Sequence, residues 1–208
     1  MFDDSPDEHF LLPDDRYPAV CLEPDGRCRL DSPRPPLLVC GSFNPLHEGH
    51  RQMAQQASER LHLPFAFELS LLNVEKPALE PAEVRRRAAF FRGVAPLWLT
   101  RLPTYDAKAR VFPGTVFVVG ADTARRILEP RFYSQPLHEA LEAIRHQGCR
   151  FVVAGRVDAS GRYVTLADLP VPTRFEKMFL ELPGFRCDVS STALRLANDA
   201  REQKREDG

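Results

Sequence analysis

Leu37-Leu-Val-Cys40, running directly into Gly41-Ser-Phe-Asn-Pro-Leu-His-Glu-Gly-His50, decides the fold. The apolar tetrad reads as a buried strand, and Met53, Ala57 and Leu61 then recur at helical spacing. Two imidazoles and several free backbone N–H groups therefore meet where a strand hands over to a helix, which is where an α/β protein binds phosphate. Gly41 and Gly49 let the backbone approach a ligand closely, and Pro45 stiffens the turn. His47 and His50, three apart, can face one pocket at the helix start and donate hydrogen bonds to phosphate without the standing charge of a lysine.

Outward from this segment the chain alternates strand and helix patterns. Phe65, Phe67, Leu69 and Leu71 alternate with Ala66, Glu68 and Ser70 as a strand, and Pro81 opens a helix with Val84, Ala88 and Phe91 on one face. Leu97–Thr100, Thr115–Val119 and Phe151–Ala154 read as further strands, with a helix marked by Leu137, Leu141 and Ile144 and stopped by Gly148. A last helix is predicted from about Ser191 to Arg201, and Pro103-Thr-Tyr-Asp-Ala-Lys108 reads as a loop. Strands separated by helices imply parallel pairing through right-handed crossovers, hence an α/β fold: a Rossmann-like parallel sheet with helices on both faces. In such a sheet the ligand lies beyond the carboxyl ends of the strands. The Gly41 loop, the Asn73-Val-Glu-Lys76 loop, the Gly120-Ala-Asp122 turn and Arg156 all follow strand patterns directly.

Ahead of this domain, assigned to residues 35–202, an acidic arm with a small hairpin about Pro24-Asp-Gly26 occupies residues 1–34, and residues 203–208 form a polar tail. A net charge of −1 argues against bulk electrostatic binding of nucleic acid. No apolar run approaches the roughly 20 residues of a membrane span, and Met1-Phe-Asp-Asp-Ser-Pro6 lacks the features of a signal peptide, so a cytoplasmic protein is expected. Five cysteines, never closely paired, indicate neither a disulfide framework nor a zinc site, with only Cys21 and Cys28 brought near each other by some hairpin registers. The oligomeric state stays open, a homo-oligomer included.

The other residues that could carry chemistry lie near the same end of the sheet. Asp188-Val-Ser-Ser-Thr-Ala-Leu-Arg195 opens the last helix with consecutive hydroxyls, which alone would be N-caps. Gly120 and Asp122 end a strand, where Asp122 could equally cap the next helix. Lys76 stands in a loop after the second strand, and Lys108 is a weaker candidate of the same kind. Arg85, Arg86 and Arg87 read as a solvated helix face, and Trp98 as core.

His47-Glu-Gly-His50 closely resembles the H-x-G-H signature of the nucleotidyltransferase superfamily. The resemblance spans about residues 36 to 200. Gly41-Ser-Phe-Asn-Pro45 is similar to the opening of eukaryotic-type nicotinamide mononucleotide adenylyltransferases, and His47 to His50 to the bacterial pattern. What it implies is an enzyme that joins AMP from Mg-ATP to a phosphorylated acceptor, nicotinamide or nicotinate mononucleotide, and releases pyrophosphate. Gly41, Ser42, Phe43, Asn44 and Gly49 would then lie on the phosphates, with His47, His50 and Lys76 acting on the α phosphate. Ser190, Ser191, Thr192 and Arg195 match the S-S-T-x-x-R stretch that holds the β and γ phosphates in the ATP-using members, Gly120 and Asp122 match a G-x-D turn that takes a nucleotide, and Arg156 matches a strand-end arginine. The nearest match to the aromatic residue that commonly follows the turn is Tyr133. Cys187-Asp188-Val189, standing where CTP-using members carry an arginine and a glycine, favours ATP over CTP. Magnesium would arrive with ATP, held mainly by phosphates and water. The alternatives are a CTP-dependent cytidylyltransferase for a phosphorylated alcohol, or a nucleotide-binding module without catalysis.

Overall fold

The computed structural model describes residues 11–75, 77–158 and 160–185. Strands β1 (Ala19–Leu22) and β2 (Cys28–Arg29) pair antiparallel across the turn at Pro24-Asp-Gly26, where Gly26 takes φ +91°. The chain then alternates: β3 (Leu37–Cys40), α1 (Glu48–Leu61), β4 (Phe65–Ser70), α2 (Pro81–Ala88), β5 (Leu97–Thr100), α3 (Tyr105–Val111) and β6 (Val116–Gly120). It continues through α4 (Ala121–Ile127), α5 (Leu137–His146), β7 (Arg150–Ala154), the short hairpin β8 (Arg156–Val157) and β9 (Tyr163–Val164), and β10 (Phe179–Leu182). Among the described residues no helix is long and apolar enough to cross a membrane.

Eight strands form one sheet in the order β10-β7-β6-β3-β4-β5-β1-β2. The first six run parallel, and β1 joins β5 antiparallel, so the N-terminal hairpin extends the same sheet. Period-two alternation divides the strand side chains between two cores. Leu38, Trp98, Phe117 and Phe151 face Ala109 of α3 and Leu141 and Ile144 of α5. Leu37, Val39, Phe67, Leu97 and Val118 face Ala54 and Ala57 of α1 and Val84 and Ala88 of α2. Helices therefore cover both faces, and the fold is the α/β, Rossmann-like arrangement that the sequence pattern predicts. Trp98 lies in the first core, edge-on to Phe112 at 5.2 Å.

The elements that escape the sequence pattern include α3 and β10. The expected loop from Pro103 to Lys108 runs into α3, whose buried side carries Lys108 beside Ala109, so a charge stands where helical periodicity looks for an apolar residue. The strand β10 buries only its two ends, Phe179 and Leu182, which hides the two-residue period. The free cysteines include Cys21 and Cys28, whose strand register sets Cys28 opposite Leu22 and Cys21 opposite Arg29.

The order of connections positions the site. From β3 the chain moves through β4 to β5 on one side, then returns to β6 on the other side of β3. The loops leaving β3 and β6 thus diverge at a topological switch point, where an open parallel sheet leaves a crevice.

Candidate active site

A cleft of about 440 Å³ opens there, with Cys40, Ser70, Gly120 and Ala154, the carboxyl-terminal residues of four parallel strands, in its wall. Its size is that of a small-molecule site. Gly41 and Ser42 leave β3 into it, but Phe43 turns away. At φ +44° the Phe43 backbone is left-handed, and its fully buried ring packs edge-on against Phe67 at 5.4 Å and Phe91 at 5.1 Å. A Cβ on Gly41 would stand 2.8 Å from that ring, so the glycine is what lets the loop fold over its own anchor. Asn44 likewise faces out of the cleft and accepts a hydrogen bond from Arg86. Of the loop residues expected on phosphate, Gly41, Ser42 and Gly49 line the cleft, while Phe43 and Asn44 do not.

Arg87 corrects the reading of a solvated arginine face. It is buried, pairs with Glu83 at 2.7 Å and donates from Nη1 to the carbonyl of Ser42 at 2.8 Å. The helix behind the loop thereby clamps the loop backbone.

His47 is the N-cap residue of α1 and His50 lies in its first turn. The His47 backbone N–H donates to Nδ1 of His50 at 3.3 Å, and the two rings stack with centroids 3.8 Å apart. Nδ1 of His50 is thus an acceptor and the hydrogen of the neutral ring sits on Nε2. Burial, then His47 and Arg156, push the His50 pKa down to about 3. Burial and then Arg156 lower that of His47. Both ring nitrogens of His47 are buried with no hydrogen-bond partner among the described residues. Unpartnered polar atoms in a cleft are costly unless a ligand meets them.

On the other side of the switch point, Gly120 takes the N-cap position of α4 and Asp122 sits in the first turn, so Asp122 is not the helix cap. A Cβ on Gly120 would come within 2.7 Å of Asp122 Oδ1. Arg156, just beyond β7, approaches the same oxygen at 3.6 Å. Lys76 and the Ser190, Ser191, Thr192 and Arg195 set lie outside the described residues. The loop leaving β4 is tied at its base, where Leu79 N–H donates to the carbonyl of Leu71 at 2.9 Å, and across the cleft by Glu75, 2.6 Å from Arg131.

A family model described as cytidylyltransferase-like matches residues 38–197. The chain belongs to the cytidylyltransferase-like family. A probable nicotinate-nucleotide adenylyltransferase from Gloeobacter violaceus is 29% identical to it over 172 residues, 74% of this chain and 79% of that protein. Plasmodium falciparum nicotinic acid mononucleotide adenylyltransferase, solved in complex with NaAD, aligns with 80% of this chain and 88% of its own at 16% identity and a TM-score of 0.48.

This cytidylyltransferase-like chain also carries cleft residues to which the sequence reading gave no role or only a weak one. Glu68 of β4 is 1% exposed and Lys108 of α3 is 4% exposed, and they form an ion pair in the cleft wall. Thr100 donates to the same Glu68 oxygen at 2.5 Å. Tyr105, Tyr133 and Phe132 add aromatic surface, and the Tyr133 hydroxyl donates to the Ile127 carbonyl at 2.9 Å. The signal for Glu68 was available: a carboxylate in a strand covered on both faces must have a partner.

Proposed function

We propose that the protein is an adenylyltransferase that moves AMP from Mg-ATP to nicotinamide or nicotinate mononucleotide and releases pyrophosphate. The observation that carries this reading is the histidine pair. His50 is held neutral with Nε2–H as its donor, and His47 offers two unpartnered nitrogens beside it. A neutral donor binds an α phosphate without fixing it as tightly as an ammonium would. Membership of the cytidylyltransferase-like family and the Gloeobacter violaceus relative support the same reaction class.

An oxygen of the acceptor phosphate attacks the α phosphorus in line, and the bond from that phosphorus to the oxygen bridging it to the β phosphate breaks. The attacking oxygen is already anionic, so no general base is required and catalysis rests on positioning and charge stabilisation. His50 donates to an α-phosphate oxygen, His47 and Lys76 assist, and the bared amides at the start of α1 face the same group. Asp122 accepts from ribose hydroxyls beside Gly120. Ser190, Ser191, Thr192 and Arg195 hold the departing pyrophosphate, with Arg156 toward the phosphates. Among the described residues no cluster of three or more His, Cys, Asp or Glu could hold a metal ion. Magnesium enters as part of the nucleotide substrate.

The test is pyrophosphate release from ATP, CTP or GTP, each with nicotinamide mononucleotide, nicotinate mononucleotide, phosphopantetheine or phosphocholine. ATP with a pyridine mononucleotide is expected to react. Release only with CTP and a phosphorylated alcohol would replace this reading, and none with any pair would leave a binding module.

A further inference from the structure

The Glu68–Lys108 ion pair has no part in phosphate chemistry as derived above. Its two residues lie within β4 and α3, whereas the described groups assigned to phosphate, Ser42, His47, His50 and Arg156, lie beyond the ends of β3 and β7. Nor is the pair explained by stability. Burying two charges costs several kcal/mol of desolvation, which mutual attraction roughly repays at best, and apolar replacement of such a pair is often neutral or stabilising. Here the pair stands in the wall of the cleft, whose lining also includes Tyr105, Thr104 and Ser70, and Lys108 Nζ lies 5.6 Å from the Tyr105 ring centroid.

We infer that Glu68 and Lys108 together read the ring substituent of the acceptor and select the neutral carboxamide, nicotinamide mononucleotide, over the carboxylate, nicotinate mononucleotide. The inference rests on the mononucleotide reading of the cleft. The pair has no net charge and sets an N–H donor beside a carboxylate acceptor. A carboxamide has the complementary pattern, one acceptor oxygen and one NH₂ donor. A nicotinate carboxylate has two acceptor oxygens and a full charge, so an oxygen that meets Lys108 brings its neighbour toward Glu68, like charge against like at a buried pair. Lysine alone would favour the acid, and Glu68 removes that preference. The selection is opposite to the substrate in the name of the Gloeobacter violaceus relative.

The test compares kcat/KM for the two mononucleotides with saturating Mg-ATP, in the full chain and in Glu68→Gln, Lys108→Met and the double variant. Wild type is expected to prefer nicotinamide mononucleotide by at least about tenfold, since a site built to pair with a polar group rejects the mispaired analogue strongly. Glu68→Gln, leaving the ammonium unbalanced, is expected to move the ratio at least about tenfold toward nicotinate. Lys108→Met moves it further from nicotinate. The ratio does not depend on how much of a variant is folded, and the wild-type value stands even if a single variant fails to fold. A wild-type preference for nicotinate, or single variants that leave the ratio unmoved or shift it the same way, overturns the inference while leaving the adenylyltransferase reading intact. No pyrophosphate from either mononucleotide overturns that reading, and the inference with it.

Discussion

The backbone N–H of His47 donates to Nδ1 of His50 at 3.3 Å, so the first turn of α1 fixes the tautomer of the second histidine. One residue sets the proton of the other through the chain's own geometry, and the stacked rings lock the orientation. The hydrogen on Nε2 is the donor left for a ligand.

His50→Ala removes that donor. Loss of one preorganised donor to a charged transition state lowers turnover by about 10² to 10³. The expected split is a large fall in kcat with little change in KM for ATP, and an unchanged circular dichroism spectrum. Turnover near wild type would remove His50 from the chemistry.

The depressed histidines also tie stability to pH. His50 titrates near 3 in the folded chain, against the ordinary value of about 6.5 when unfolded. Between those values the unfolded chain binds more protons, so stability is fully present above about pH 6.5 and is lost as pH falls toward 3. His47, shifted the same way, adds to the loss. Allowing for partial exposure, His50 contributes on the order of 1 kcal/mol between pH 7 and pH 5. The Tm of wild type is expected to fall by a few degrees more over that interval than the Tm of His50→Gln; equal falls would show that His50 is solvated.

The strand, loop and helix from Leu37 to Leu61 were legible because three independent signals coincide: an apolar run, Gly and Pro at the turn, and helical spacing after it. Glu68 was legible only in part. A sheet covered on both faces implies a partner for it, but nothing local names that partner as Lys108 of α3, 40 residues away. Arg87 fails for a similar reason, since three consecutive arginines look solvated, yet one of them points inward at a carbonyl 45 residues away. Phe43 shows the converse: the motif places it in the loop, and its positive φ turns the ring into the core. In each case the deciding contact is distant in sequence.

Two glycines of the cleft separate stability from binding. Gly41→Ala drives a methyl into the ring of Phe43, which is fully buried and has nowhere to go, and is expected to cost about 1–3 kcal/mol by denaturant unfolding. Gly120→Ala clashes with the carboxylate of Asp122, a half-exposed side chain that can rotate aside, and makes an ordinary contact with Arg156. Its expected effect is a rise in KM of about tenfold with less than about 1 kcal/mol lost, as for a displaced polar contact. If Gly120→Ala leaves every KM unchanged, Asp122 does not touch a substrate.

Glu75 ties the loop after β4 to Arg131 and, at 3.9 Å, to Arg126 on the facing wall. Exposed pairs of this kind contribute about 0–1 kcal/mol to stability, so Glu75→Gln is expected to leave Tm within a degree or two. What it removes is a tie across the mouth of the cleft, and kcat/KM for the acceptor is expected to fall several-fold, more at low salt than at high salt. An acceptor kcat/KM equal to wild type at both salt concentrations would show that the tie has no part in catalysis.

Arg87 tests whether the loop must be clamped from behind. Arg87→Met keeps the length and apolar body of the side chain but leaves the Ser42 carbonyl without that donor and Glu83 with Arg86 as its remaining partner in the pair. The lost half-buried hydrogen bond costs about 1 kcal/mol. Arg87 is absent from the cleft wall, so any effect on turnover must pass through the position of Ser42. The expected result is a fall in kcat of about tenfold at saturating substrate, together with a Tm lower by several degrees. Arg87→Lys, which can still donate to the carbonyl but cannot also span Glu83 with a planar fork, is expected to recover part of the turnover and less of the Tm. A stability loss with kcat unchanged would make Arg87 a strut of the fold alone.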